Sequence, residues 1–213
     1  MTISIEQART WYEQADTVHD FEHVLRVYRT AEHLARVEGA DLEIVQTAAL
    51  LHDVCGAMPG SKARAEHHIA SAVFAGDVLQ KAGWPAERIS AVQHCIRAHR
   101  FRGSTDEPPA TLEAKVIFDA DKLDVLGAIG VARVIAYAAL AGSPFYVEPS
   151  QQFLKTGQKE PGEAHSAYHE HLFKLRRIKE RLFTPTARHL AEARDAYIES
   201  YFQRLGAELR GEL

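Results

Sequence analysis

The chain has 213 residues, enough to bury one sizeable core and short enough for a single domain to account for it. Lys and Arg total 25 against 29 Asp and Glu, a formal charge of -4, so no global basic field favours nucleic acid or an anionic membrane, and only a local basic pocket remains open. No apolar run reaches the roughly 18 residues of a membrane span. Residues 1–15 lack the order of a signal peptide, and Cys55 and Cys95 fit no CxxC pattern, so a soluble, cytoplasmic protein with reduced thiols is expected.

Apolar residues recur at three and four rather than at two, and no alternating β-branched run reaches strand length, so the chain is predicted to be all-α. Ser4 caps a first helix carrying Ile5, Ala8, Trp11 and Tyr12. A second runs from about Asp20 through Phe21, Val24, Leu25, Val27, Tyr28, Ala31, Leu34 and Ala35 to a stop at Gly39. Asp41 caps a third, whose stripe of Ile44, Val45, Ala48, Ala49 and Leu51 suits a helix at the centre of a bundle; its last turn delivers His52 and Asp53. A break over 56–60, containing Pro59, precedes helices over about 61–82 and 86–98, themselves separated by Gly83-Trp84-Pro85. Residues 100–109 read as a loop. Thr111 then caps a helix that has Glu113 in its first turn and carries Val116, Ile117 and Ala120 up to Asp121. Residues 123–140, rich in small and apolar side chains, are predicted to lie in the interior. The proline-bearing stretch 142–162 reads as a long excursion, either a lid or a disordered segment. Helix returns over 164–182, and Thr184-Pro185 starts a last helix ending near Leu205.

His52 and Asp53 are the first residues with the chemistry of a site. Adjacent helical side chains diverge by about 100°, so the two can share a cation only if the helix ends there. Further ligands must come from other helices. His23 lies on a helix that must pack against the stripe ending at His52, and Arg26, at i+3 on the same face, is placed to hold an anion. Asp121 is one of three acids, with Asp119 and Asp124, where a mostly apolar helix turns abruptly acidic; such acids are costly unless paired or ligated. Two imidazoles and two carboxylates suit a borderline divalent ion such as Mn, Fe, Co, Ni or Zn, with Mg a further choice, better than calcium. His67, His68, His94 and His99 flank the same region, and eight of the 12 histidines fall between positions 19 and 99. His67 and His68 diverge, so one of them is expected to face inward. A lone histidine is more often a surface residue or a satisfied core donor, and His165, His169, His171 and His189 are left at that reading.

The ordered set His23, His52-Asp53, Asp121 resembles the H...HD...D signature of the HD superfamily of metal-dependent phosphohydrolases. The likeness extends to stand-alone bacterial HD-domain hydrolases at residues 19–27 (HDFEHVLRV), 48–54 (AALLHDV), 112–115 (LEAK), 119–124 (DADKLD) and 127–130 (GAIG), and more weakly at 174–175 and 184–194. It implies an HD-domain helical bundle over 1–213, with a C-terminal helical extension from about 143. It also implies that His23, His52, Asp53 and Asp121 ligate the metal, and that the positions of His67 and His99 serve a second metal or the substrate phosphate. His67-His68 stands where one histidine is usual, and the spacing to Ser71 favours His67. Lys122 stands where arginine is common, which keeps the charge but loses bidentate geometry. Arg100-Phe101-Arg102-Gly103 follows His99 in place of Gly-Tyr-Pro, a departure from the cyclic di-GMP phosphodiesterase branch.

The implied activity is hydrolysis of a phosphate ester, nucleotides included, by metal-activated water. Asp53 serves both as ligand and in catalysis, Arg26 and Lys122 offset phosphate charge, and His67 or His99 protonates the leaving oxygen. One alternative is a di-iron oxygenase of the same fold, with His67 and His99 completing a dinuclear site. The other is a regulatory protein that binds a nucleotide without turning it over. The expected partner is thus a small phosphorylated molecule, with neither membrane nor nucleic acid.

Overall fold

The computed structural model describes residues 3–12, 21–56, 62–101 and 106–213. The expected helix start at Asp20, the Pro59 break and positions 102–105 of the loop lie outside the described residues. Regular structure among the described residues is entirely helical: α1 (Ile5–Arg9), α2 (Phe21–Glu38), α3 (Leu42–Leu51), α4 (Lys62–Lys81), α5 (Ala86–Ala98), α6 (Leu112–Leu123), α7 (Gly127–Leu140), α8 (Gln151–Thr156), α9 (Ala167–Phe173), a 3-10 helix (Leu175–Arg181) and α10 (Pro185–Leu209). No single helix among them is long and apolar enough to cross a membrane. The chain divides into two compact units, Met1–Asp121 with Phe183–Ala187, and Lys122–Leu182 with Arg188–Leu213.

The first unit is arranged around α3, which packs against α2 and α5, while α4 packs on α5. The apolar stripe of α3 dictates this place, because Val45, Ala48, Ala49 and Leu51 are fully buried and must be covered on several sides. Its start is held by Asp41, whose Oδ1 accepts from the backbone of Glu43 and Ile44, each at 3.1 Å. The same carboxylate takes a two-nitrogen grip from Arg88 on α5 at 2.9 and 3.0 Å, and the Asp41 amide donates to Glu113 on α6 at 3.0 Å. At the other end, the buried Tyr12 hydroxyl donates to the carbonyl of Leu50 at 2.9 Å. Both ends of α3 are therefore fixed, and the side chains at its C-terminus inherit that rigidity. Asp119, fully buried on α6, accepts from the backbone of Phe183 (2.9 Å), and from the amide and hydroxyl of Thr184 (2.7 Å each), fastening the returning segment to this unit.

In the second unit α7 begins at Gly127, whose φ of +69° is a left-handed conformation that favours glycine. Gly130 is required by space, since a Cβ there would lie 2.3 Å from the carbonyl oxygen of Val125. The excursion over 142–162 contains α8, capped by Ser150 and closed by Gly157 at φ +73°. The Glu163 carboxylate draws this stretch together, accepting from the Ser150 amide and hydroxyl, the Glu160 amide and Nε2 of His169 at 2.7–2.9 Å.

Several sequence expectations need correction. The first helix ends at Arg9, so Trp11 and Tyr12 follow it in a turn. Residues 123–140 are not interior throughout: Gly127, Gly130, Val131, Val134 and Ala138 of α7 are buried, whereas Ile129 and Leu140 are exposed. Residues 164–182 are not one helix but α9 and a 3-10 helix, with Lys174 (φ -118°, ψ -55°) at the joint. The last helix runs on to Leu209.

Candidate metal centre

Helix α3 ends at Leu51, His52 is its C-cap, and residues 52–55 form a turn. The condition for His52 and Asp53 to converge is thus met, and Asp53 leaves the helix axis toward neighbouring helices. His23 arrives from the buried face of α2, His67 from α4, His99 from the C-cap of α5 and Asp121 from the last turn of α6. His52 is fully enclosed, and His23, His67 and His99 are buried.

The six side chains form two adjoining groups, His23 with His52 and Asp121, and Asp53 with His67 and His99; within each group the donor atoms lie within 4.8 Å of one another. Nε2 of His23 is 3.4 Å from Nε2 of His52 and 3.5 Å from Oδ1 of Asp121. Oδ2 of Asp53 lies 3.8 Å from both of those imidazole nitrogens, and its Oδ1 is 2.9 Å from Nε2 of His67 and 3.5 Å from Nε2 of His99. Asp53 thereby bridges the two groups.

Burial disfavours the charged form of His52 and lowers its pKa to about 4, with the neighbouring His99 and His23 acting the same way and Asp53 opposing them. The imidazole is therefore neutral near pH 7, as a metal ligand must be. Burial by itself would raise the Asp53 carboxyl, but the imidazoles of His52, His67 and His99 outweigh it and hold the group well below the usual carboxylate range.

These residues fit a divalent cation. Oδ1 of Asp53 is enclosed and has no hydrogen-bond partner. A buried carboxylate oxygen in that state is costly unless a cation satisfies it. Nδ1 of His52 faces the carbonyl of Ala49 at 2.8 Å, the outer contact that typically orients a ligating imidazole and aims its Nε2 at the metal. Mixed nitrogen and oxygen donors match the borderline divalent ions.

The remaining expected residues are distributed as follows. Arg26 is half-buried on α2, one turn beyond His23, and Lys122 follows Asp121 on α6. Of the two adjacent histidines, His67 is the one that reaches Asp53. His94 is not at the centre: its Nδ1 contacts Glu107 at 2.6 Å, its Nε2 accepts from the Ala110 amide at 3.1 Å, and so it secures the loop after α5. His169 and His171 are buried and bonded to Glu163 and Glu199, whereas His165 and His189 are more open. Sequence reasoning missed Arg100, one guanidinium nitrogen of which lies 3.1 Å from Nδ1 of His67. Its position directly after His99 was the available signal.

Residues 20–126 match the family model for the HD domain. The uncharacterized protein YpgQ of Bacillus subtilis is 34% identical over 212 residues, covering 97% of this chain and 94% of that protein. A crystal structure of Bacillus subtilis YpgQ in complex with ADP is similar at a TM-score of 0.74 and 31% identity, covering 99% of this chain and 100% of the other. The crystal structure of an HD-superfamily hydrolase from Bacillus thuringiensis is similar at a TM-score of 0.71 and 27% identity, covering 97% and 94%.

Proposed function

The chain belongs to the HD domain family, and from that premise we propose that it is a metal-dependent phosphohydrolase acting on a phosphate ester of the nucleotide class. The observation that carries this reading is the enclosed Asp53 carboxylate, around which the Nε2 atoms of His23, His52, His67 and His99 converge at 2.9–3.8 Å. His23, His52, Asp53 and Asp121 would hold the ion. When bound, a divalent metal supplies Lewis-acid activation of water and of a phosphoryl oxygen near neutral pH.

The chain's own residues do the rest. Burial keeps His52 neutral, so it offers a lone pair rather than a proton. Arg26 and Lys122 would offset phosphate charge, and of His67 and His99 the ring that presents an N–H to the centre would protonate the leaving oxygen. The nucleotide class draws support from the ADP complex of the Bacillus subtilis relative, and the hydrolytic reading from the HD-superfamily hydrolase with which this chain shares 27% identity. The test is metal analysis joined to a panel of nucleotides and other phosphorylated metabolites, with Asp53→Ala as control. Turnover that tracks metal content supports the reading, and turnover indifferent to metal refutes it.

A further inference from the structure

The proton positions of the imidazoles around Asp53 are set by what each Nδ1 faces. Nδ1 of His52 is 2.8 Å from the carbonyl oxygen of Ala49, and Nδ1 of His99 is 2.6 Å from that of Ile96. A carbonyl oxygen only accepts, so both rings carry their proton on Nδ1 and turn the Nε2 lone pair toward the centre. His67 has the opposite polarity. Its Nδ1 faces a guanidinium nitrogen of Arg100 at 3.1 Å, and arginine has only donors and remains charged. Nδ1 of His67 must therefore accept, which places the proton of the neutral ring on Nε2, the atom 2.9 Å from Oδ1 of Asp53. A metal ligand needs that lone pair. The group of Asp53, His67 and His99 then offers a cation two donors instead of three, too few for tight binding.

Resting on the metal-dependent reading above, we infer that Arg100 is a positioning residue that fixes the proton of His67 on Nε2, withdrawing this ring from metal ligation and limiting the centre to one tightly held metal. His23, His52 and Asp121, with Oδ2 of Asp53 shared between them, form the side that takes the ion. The di-iron arrangement considered from sequence needs His67 as a ligand, and Arg100 stands against it.

Two measurements test the inference. In the metal-free chain, nitrogen-proton correlation spectra are expected to show His67 protonated on Nε2, and His52 and His99 protonated on Nδ1. Arg100→Ala should move His67 toward the Nδ1-protonated form, and Arg100→Lys, which retains a donor, should not. Titration with Mn should give one tight equivalent for the native chain, two for Arg100→Ala and one for Arg100→Lys. Native His67 protonated on Nδ1, two tight equivalents in the native chain, or a single equivalent in a folded Arg100→Ala protein would each overturn the inference while leaving the phosphohydrolase reading intact. Failure of the native chain to take any divalent metal would overturn both. The native spectrum decides the tautomer even if Arg100→Ala does not fold.

Discussion

Nε2 of His52 lies 3.4 Å from Nε2 of His23, and the two rings meet edge-on with centroids 5.4 Å apart. One ring comes from the end of α3 and the other from the first turn of α2, so the pair brings two separate helix ends to one point. Both are buried, and Asp53 lies at equal distance from the two nitrogens.

That arrangement makes the metal-free chain sensitive to acid. His52 has a folded-state pKa of about 4 against an ordinary 6.5, because burial opposes its charge. Between those values the unfolded chain binds a proton that the folded chain refuses, so stability is full above about pH 6.5 and falls as the pH drops toward 4. The expected loss from this group is about 3 kcal/mol. Denaturant unfolding across that window should show the decline, and His52→Gln should flatten it. An equally steep decline in His52→Gln would remove His52 as the cause.

Asp119 and Asp121, two residues apart on α6, are expected to separate stability from metal binding. Asp119→Ala leaves two amides and the Thr184 hydroxyl without their acceptor and should destabilise the chain by about 3–5 kcal/mol, with metal content per folded molecule unchanged. Asp121→Ala should do the reverse, lowering metal content with little change in the stability of the metal-free chain. Thermal unfolding alongside elemental analysis distinguishes them; loss of metal in folded Asp119→Ala would contradict the division.

Arg26 should affect substrate and not metal. Arg26→Ala is expected to raise KM about 10- to 100-fold, the scale of one charge-assisted hydrogen bond, at unchanged metal content. Steady-state kinetics with a nucleotide substrate provides the check, and an unaltered KM would remove Arg26 from the phosphate contact.

The fold was largely readable because its helices are amphipathic and punctuated. Pro85 and the capping Asp41 place the starts of α5 and α3 where periodicity puts them. The break at Lys174 was not readable because Tyr168, Leu172, Leu175, Ile178 and Leu182 keep a three-four repeat across it. His169 and His171, two apart and therefore on different faces, are both buried, one against Glu163 and the other against Glu199. The three acids over 119–124 are closely spaced in sequence; the structure gives Asp119 and Asp121, both on α6, to Thr184 and His23, and Asp124, just past the end of α6, to Arg133. Arg100 was missed because its role depends on the ring nitrogen that it meets, which residue spacing does not encode.

The most direct test of the account measures divalent metal and nucleotide hydrolysis together in the native chain and in Asp53→Ala of native helicity. The account predicts that the native chain holds metal and hydrolyses a member of the panel in proportion to its metal content, and that Asp53→Ala loses both. Asp53→Ala that keeps metal and activity would contradict it, as would a native chain that binds nucleotide tightly and turns none over with any divalent metal.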